Sequence, residues 1–153
     1  MYNKFSFLLF LALFLFQATS SMAQKDKPTT GPVFDDVEAV FSLEGSDFQM
    51  DSKQQLKAIF DIDSKQGDPA KNNSIISSLH RYYNMHVRYG VPKENIKLAL
   101  VLHGSSTKDA LTSSVYKSKH KVDNPNIELI KSLSEIGVEV FICGQSMSYK
   151  GYT

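Results

Sequence analysis

Three apolar runs, rich in β-branched and aromatic residues, lie beyond residue 55 and predict three β-strands. They cover residues 56–62, 96–102 and 138–142. The runs are nearly continuous in apolar character, which is typical of strands in a parallel sheet that is covered on both faces. Polar or glycine-containing segments bound each run, and this favours strands over buried helices.

A segment with helical periodicity separates the first two runs. Asp68 and Pro69 combine an N-cap residue with a proline at the first helical position, so we expect a helix to begin there. Gly90 is expected to end it, because a glycine readily adopts the left-handed conformation that follows a helix. The residues spaced for its buried face are Ile76, Leu79, Tyr83 and Val87.

Two further helices are expected between the second and third runs. Residues 107–119 predict a short helix that directs Leu111 and Val115 inward. Asn124 and Pro125 predict the start of the next helix, which Gly137 ends. Its buried stripe would consist of Leu129, Ile130, Leu133 and Ile136.

This order of strands and helices predicts an α/β domain with an open parallel sheet and helices on both faces. Parallel neighbours require crossover connections, and helices supply them here. Such a sheet normally needs another helix after its last strand, whereas only residues 143–153 follow the third run. We therefore expect that the sequence lacks a C-terminal part of the domain.

Residues 1–23 have the features of a secretory signal peptide. Lys4 supplies a positive start, Phe5–Phe16 an apolar core, and Ser21 and Ala23 the small residues before a cleavage site. The apolar core is too short to span a bilayer stably, although an uncleaved anchor is the alternative. No cysteine follows it, which excludes a lipoprotein anchor. We expect cleavage near Ala23–Gln24 and a periplasmic or secreted protein.

After cleavage, the sequence predicts a leader followed by one domain. Residues 24–32 are rich in Lys, Thr and Pro and predict a flexible leader, and residues 33–153 predict the α/β domain. The start of the domain mixes apolar and acidic residues and predicts either an edge strand or an ordered arm lying on the domain. The contacts of that arm would be Phe34, Val37, Val40 and Phe41.

The charges of the mature chain balance. The full sequence has 17 Lys and Arg and 16 Asp and Glu, and Lys4 is the only charged residue of the signal peptide, so 16 of each remain. A net charge of zero gives no general attraction to nucleic acid or to anionic membranes. We expect neither a nucleic-acid partner nor membrane association after cleavage.

Cys143 is the only cysteine and directly follows the third predicted strand. The carboxyl ends of parallel strands share one edge of the sheet, so the thiol is expected near His103 and Asp61. A helix beginning at Gly144 would favour the thiolate, and His103 would accept the thiol proton. The alternatives are a packing role for the cysteine and a turn-capping role for the histidine. An odd cysteine in an exported protein also indicates a reactive thiol or an intermolecular disulfide.

The same edge carries candidate ligand contacts, namely Asp61, Gly104, Ser105, Gly144 and Gln145. A carboxylate at a strand end either positions a ligand or initiates the turn, and a serine there either binds an anion or caps a helix. No histidine pair has the spacing of a metal site, and no glycine-rich nucleotide loop follows a strand. We expect neither a metal nor a cofactor. Ser148 replaces the last glycine of a nucleophile elbow, which argues against a serine hydrolase.

Several segments taken in order carry a resemblance to a known family. Lys57–Asp61, Leu100–Gly104, Asn124–Asn126 and Cys143–Ser146 together resemble the DsrE/DsrF-like family, in its exported single-domain branch. The resemblance extends from Gly31 to the C-terminus. It implies a flavodoxin-like fold, homo-oligomers that are often trimers or hexamers, and a further helix and strand beyond this sequence.

The resemblance also implies a function in handling sulfur. Relatives carry sulfur as a persulfide on one cysteine, and on this basis Cys143 would be the carrier and His103 would tune its protonation. Gly144 and Gln145 would offer backbone donors, and the partners would be a sulfur donor or acceptor protein. Any activity would be at most sulfurtransferase-like. The alternative is a non-catalytic ligand-binding or oligomeric assembly module in which Cys143 is structural.

Overall fold

The computed structural model describes residues 27–63 and 68–152, apart from residues 38, 43, 44, 46 and 48. The predicted signal peptide lies outside this part of the chain. Among the helices that are described, none combines the length and the apolar character that crossing a membrane requires.

The predicted open parallel sheet with helices is confirmed. Its strands are β1 (Leu56–Ile62), β2 (Ile96–Leu102) and β3 (Glu139–Ile142), hydrogen-bonded in the order β1-β2-β3. Both pairs are parallel, with Ile62 opposite Leu102 and Leu102 opposite Ile142. The three strands therefore end level with one another at the carboxyl edge.

In the part of the chain that is described, four α-helices and two short 3-10 segments connect and follow these strands. The helices are α1 (Ser74–Arg88), α2 (Ser113–His120), α3 (Ile127–Glu135) and α4 (Gly144–Tyr149). The 3-10 segments are Lys93–Asn95, before β2, and Gly104–Ala110, directly after it.

The predicted start of α1 at Asp68 and Pro69 is wrong. The Asp68 carboxylate accepts a hydrogen bond from the Ala70 N–H (2.9 Å) and caps a turn, while the helix begins at Ser74. Asn73 is the N-cap, since its side-chain oxygen accepts the N–H of Ile75 at 3.0 Å. Both residues can cap a helix, and the buried hydrogen bonds of Asn73 decide between them. The end of the helix before Gly90 agrees with the prediction.

The single helix predicted for residues 107–119 is also wrong. The 3-10 segment Gly104–Ala110 comes first, and α2 starts separately at Ser113. Leu111 is buried between them, but Val115 is exposed and Tyr116 is completely buried instead. The Tyr116 hydroxyl donates to the carbonyl oxygen of Pro69 at 2.9 Å, which holds this face of α2 inward.

The apolar core lies on one face of the sheet. Alternate residues of β1 and β2 pack there against the apolar faces of α1 and α3. The most deeply buried members are Ile62, Leu100, Leu102, Ile76, Leu79 and Leu133. On the opposite face Ile59 is 74% exposed and Phe141 is 51% exposed.

The described part of residues 27–42 forms an arm that lies along α1. Thr29 and Val40 exchange two backbone hydrogen bonds, of 3.0 and 2.9 Å, in an antiparallel bridge. Val40 is buried, whereas Phe41 is exposed. The arm is thus ordered against the domain, and its pairing with itself is limited to one bridge.

Two side chains of α1 hold this arm by its backbone. The Arg88 guanidinium donates to four main-chain oxygens at 2.9–3.0 Å. Asn84 accepts the N–H groups of Val33 and Phe34 and donates to the carbonyl oxygen of Phe34. The four oxygens that Arg88 contacts belong to Thr29, Thr30, Gly31 and Val40.

Candidate functional site

The carboxyl edge of the sheet brings the predicted chemical residues together. The His103 N–H donates to the Ile62 carbonyl, and the Cys143 N–H donates to the Leu102 carbonyl, so the parallel ladder continues one residue past each strand. His103 and Cys143 are therefore cross-strand neighbours. Alternation along a strand places Asp61 on the same face, two residues before the end of the ladder.

His103 lies between two carboxylates. Its Nδ1 is 2.5 Å from Oδ1 of Asp61, and its Nε2 is 3.9 Å from Oδ2 of Asp63. The hydrogen bond to Asp61 is the main cause that raises the pKa of His103, and partial desolvation opposes it. The imidazole is thus favoured in its cationic form.

Cys143 is half-buried at the start of α4, and its surroundings favour the thiolate. The Ser146 hydroxyl is the largest cause that lowers the pKa of Cys143, followed by the backbone amide of Ser146. The Gln145 amide and the charge of His103 add to this, and desolvation opposes it. The sulfur makes no capping hydrogen bond of ordinary length, so these amides act on the thiolate mainly as nearby dipoles.

Ser146 connects the thiol to the segment that follows β2. Its Oγ accepts the backbone N–H of Gly104 at 2.9 Å, which leaves the hydroxyl proton free to point to the sulfur. Within residues 68–152 no hydrogen bond joins His103 to Cys143 or to Ser146. His103 therefore acts on the thiolate through its charge, and a serine-histidine nucleophile pair is not formed.

Gly104 allows two loops to approach closely at this point. Its φ is +55°, and a Cβ added to it would collide with the Asp63 carboxylate. That carboxylate in turn accepts the Ser105 N–H at 2.9 Å. A residue without a side chain is thus required where the end of β1 meets the 3-10 segment.

A buried polar cluster anchors the far end of this 3-10 segment. The carboxylate of Asp109, fully buried, accepts hydrogen bonds from the side chains of Asn73 (2.8 Å) and Asn126 (3.1 Å). The Asp109 carboxylate also contacts the ammonium group of Lys108. The side chain of Asn124 donates to the backbone carbonyl of Asp109 at 2.9 Å. The cluster ties the starts of α1 and α3 to the segment that carries Gly104. Asn124 and Asn126 stand in the sequence as Asn124-Pro125-Asn126, but their role in this cluster was not predicted.

A cleft of about 650 Å³ opens at Gln145 and Ser146, close in sequence to Cys143, but Cys143 and His103 are not among its described lining residues. Of the predicted ligand contacts, Gly104, Ser105 and Gln145 line this cleft, whereas Asp61 and Gly144 are not among its described lining residues. The complete described lining is Asp63, Gly104, Ser105, Gln145, Ser146, Tyr149 and Lys150.

Sequence reasoning missed Tyr149 and Lys150, because no helix was predicted after the third strand. The only available signal was the position of Gly144 directly after a strand. In the part of the chain that is described, no cluster of three or more His, Cys, Asp or Glu side chains has an arrangement suited to a metal ion.

Comparison with protein families gives one match. The model of the DsrE/DsrF-like family matches residues 57–153, which contain β2, β3, all of β1 except Leu56, and every residue of the edge and cleft described above. Searches of curated proteins and of solved structures found no match.

Proposed function

The chain belongs to the DsrE/DsrF-like family, and from this premise we propose that it is an exported persulfide carrier that holds sulfane sulfur on Cys143. Membership suggests a role of the sulfur-relay type at most. The observation that carries the finer proposal is the setting of Cys143, a half-buried thiol whose pKa is lowered chiefly by Ser146. A thiolate is the form that attacks sulfur.

The carrier reaction needs no external oxidant. The Cys143 thiolate attacks the outer sulfur of a donor persulfide, R–S–SH, and forms a new S–S bond. The S–S bond of the donor breaks, and the electron pair leaves with the donor as the thiolate R–S⁻. His103, held as a cation by Asp61, supplies the proton that converts this thiolate to R–SH. The outer sulfur with its own proton remains on the protein as Cys143–S–SH.

The surroundings of Cys143 support this reading over a purely structural cysteine. A cysteine that only packs is expected to be buried among apolar side chains. Here Ile142 before the thiol and Gly144 and Gln145 after it are exposed. Cys143 itself is only half-buried, which supports access by a reaction partner.

Loading with inorganic polysulfide tests the proposal. We expect the intact mass of the native protein to rise by one sulfur atom and Cys143→Ser to show no such gain. A dithiol reductant should remove the added sulfur. No gain in the native protein, or an equal gain in the serine variant, would refute the carrier function. Very slow labelling of native Cys143 by a thiol reagent at neutral pH would favour the structural alternative.

Export is a separate part of the proposal and depends on residues 1–23, which resemble a cleavable signal peptide. Expression of the full sequence in a bacterial host, followed by N-terminal sequencing of the exported fraction, tests it. We expect the mature chain to begin at Gln24. Retention of the uncleaved chain in the membrane fraction would support the anchor alternative instead.

We also propose that the protein forms a homo-oligomer, a trimer or a hexamer as the family resemblance implies. The exposed side chains of Ile59 and Phe141 support this, since apolar surface of this kind favours contact between subunits. Light scattering coupled to size-exclusion chromatography measures the mass directly. A monomer at micromolar concentration would argue against this part.

A further inference from the structure

We propose that the cleft beside Cys143 binds the persulfide of a small zwitterionic thiol, with Asp63 holding the ammonium group of the ligand and Lys150 its carboxylate. This inference rests on the proposed carrier function and names the class of sulfur donor. A free amino-acid thiol and a short thiol peptide share the required chemistry.

The size and position of the cleft suit such a ligand. Its volume of about 650 Å³ falls within the range of small-molecule sites, roughly 300–1,000 Å³. Ser146 is part of its lining and is also the residue whose hydroxyl favours the Cys143 thiolate. The cleft therefore adjoins Cys143 at Ser146, although Cys143 is not one of its described lining residues.

The negative group of the cleft is Asp63. Its side chain is 51% exposed, and its two oxygens have different contacts. Oδ1 accepts the Ser105 N–H at 2.9 Å, while Oδ2 lies 3.9 Å from His103, beyond hydrogen-bond distance. Oδ2 thus retains the capacity to accept a hydrogen bond from a ligand ammonium group.

The positive group is Lys150, the residue that follows α4. Within the described residues its ammonium group has neither a hydrogen bond nor an ion pair. Gln145, Ser105 and Tyr149 add uncharged polar groups to the lining of the same cleft. Lys150 is consequently available to a ligand, and Oδ2 of Asp63, which is 3.9 Å from His103, can still accept a hydrogen bond.

Charge matching selects the zwitterion over other sulfur donors. An inorganic anion such as thiosulfate pairs with Lys150 but also meets the carboxylate of Asp63, whose charge the His103 cation 3.9 Å away offsets only in part. A thiol with a single charge leaves one of the two protein groups without a partner, and a neutral thiol pairs with neither. Only a ligand with both an ammonium and a carboxylate group pairs with both.

The bound ligand would transfer its outer sulfur by the same balanced step. The Cys143 thiolate attacks the outer sulfur, the S–S bond of the ligand breaks, and the ligand thiolate takes a proton from the His103 cation. The departing molecule is the ordinary zwitterionic thiol. The sulfur remains on Cys143 as a persulfide.

Four donor persulfides of similar size that carry different charges test the inference, each rate being taken relative to its reaction with a free small-molecule thiolate. They derive from cysteine with both charges, mercaptopropionate with the carboxylate, cysteamine with the ammonium group, and mercaptoethanol with neither. We expect cysteine persulfide to load native Cys143 about tenfold faster than mercaptoethanol persulfide, at about threefold per exposed charge pair. Equal rates for all four donors would overturn the inference.

Two variants separate the charges. Asp63→Asn keeps an oxygen that accepts the Ser105 N–H and should abolish the advantage of donors that carry an ammonium group. Lys150→Gln should abolish the advantage of donors that carry a carboxylate. Asp51→Asn is the matched control, because that exposed carboxylate also accepts a backbone N–H, from Lys53, and precedes β1. Lys131→Gln, on exposed α3 surface, is the second control. Loss of both preferences in a control variant would contradict the assignment.

Two further measurements separate this inference from the carrier function. Inorganic polysulfide tests loading of Cys143 without a charged organic group, and S-methylcysteine tests binding in the cleft without sulfur transfer. Loading by polysulfide with equal rates for the four organic donors overturns the zwitterion site and leaves the carrier function. Calorimetric binding of S-methylcysteine that weakens in Asp63→Asn and Lys150→Gln supports the site even when polysulfide does not load Cys143. Absence of that binding overturns it.

Discussion

At the residue scale, Ser146, three positions further along the chain, is the main cause that lowers the pKa of Cys143. Gly104 donates to the serine oxygen, so the serine proton remains for the sulfur. His103 contributes through its charge alone, because both of its ring nitrogens face carboxylates. The thiolate is therefore stabilised mainly by one oriented hydroxyl and by nearby backbone amides.

Ser146→Ala removes that hydroxyl and should raise the pKa of Cys143. We expect alkylation of the thiol at pH 7 to slow by about threefold or more, as expected when a hydrogen bond to a charged group is lost. The pH dependence of the alkylation rate measures the change. Ser148→Ala, an exposed serine on the same helix, is the control and should leave the rate unchanged. Equal rates in both variants would show that another group activates the thiol.

Asp61→Asn should lower the pKa of His103, since the hydrogen bond to Asp61 is the main cause of its rise. A raised pKa in the folded state stabilises the protein fully below the pKa of the unfolded histidine, near 6.5. That contribution disappears as the pH rises through the folded value. The native protein should therefore exceed the variant in melting temperature most at mildly acidic pH and least at alkaline pH. NMR titration of the His103 ring, with Asp51→Asn as the control, checks the pKa directly.

At the scale of the elements, the end of β1 and the 3-10 segment after β2 approach so closely that position 104 has no room for a side chain. The end of β1 and the start of the 3-10 segment interlock through Asp63, Gly104 and Ser105. The other end of that segment is fastened by the buried carboxylate of Asp109. Both ends of the segment are thus held, and this determines where the Gly104 amide points.

Gly104→Ala should destabilise the protein by about 2 kcal/mol or more, from the left-handed backbone and the collision with Asp63. Urea unfolding measures this loss, and alkylation of Cys143 should slow because the Ser146 hydroxyl loses its orientation. Gly144→Ala is the matched control, since no atom lies within 4 Å of its added Cβ and its φ is not positive. Equal stability of the two variants would show that the close approach of Gly104 to Asp63 does not contribute to the stability of the fold.

Asp109→Asn should leave the largely buried Lys108 ammonium without its counter-charge. The expected loss of unfolding free energy is about 3 kcal/mol, as for other broken buried ion pairs. Asp123→Asn breaks the exposed pair with Lys117 and should cost less than about 1 kcal/mol. Chemical denaturation of both variants compares them. A smaller loss in Asp109→Asn than in Asp123→Asn would contradict the anchoring role.

The sequence predicted the strands well and the helix boundaries poorly, and the reason is physical. The limits of a strand follow mainly from its own apolar run. The predicted third strand, residues 138–142, therefore differs from β3 by only one residue. A helix start is chosen among competing caps, and buried partners distant in sequence favoured Asn73 over Asp68. The strand ends indicated the shared edge of Asp61, His103 and Cys143. The contact of Ser146 with Gly104 depends on packing that no local pattern encodes.

At the scale of the whole molecule, the arm ahead of β1 is held to the domain mainly by one residue. Arg88 contacts four carbonyl oxygens on both sides of the antiparallel bridge, and Asn84 adds contacts at Val33 and Phe34. The family match begins at residue 57, so this arm lies outside it.

Arg88→Ala should release the arm while the sheet stays folded. The amides of Thr29 and Val40, bonded to each other in the native protein, should exchange with solvent at least about tenfold faster, consistent with the loss of hydrogen bonds to a charged group. Hydrogen-deuterium exchange with mass spectrometry resolves these amides from those of β2. Lys131→Ala is the control. Unchanged exchange of the arm would mean that Asn84 and Phe34 suffice to hold it.

The way in which Arg88 holds the arm has a consequence for how this segment tolerates mutation. The guanidinium donates to main-chain oxygens, which every amino acid provides, and its hydrogen bonds to Thr29 and Thr30 do not involve their side chains. Substitutions at those two positions should therefore be nearly neutral, whereas position 88 should accept few residues besides arginine. In a saturation library selected for folding, positions 29 and 30 should accept many different amino acids, whereas position 88 should remain arginine.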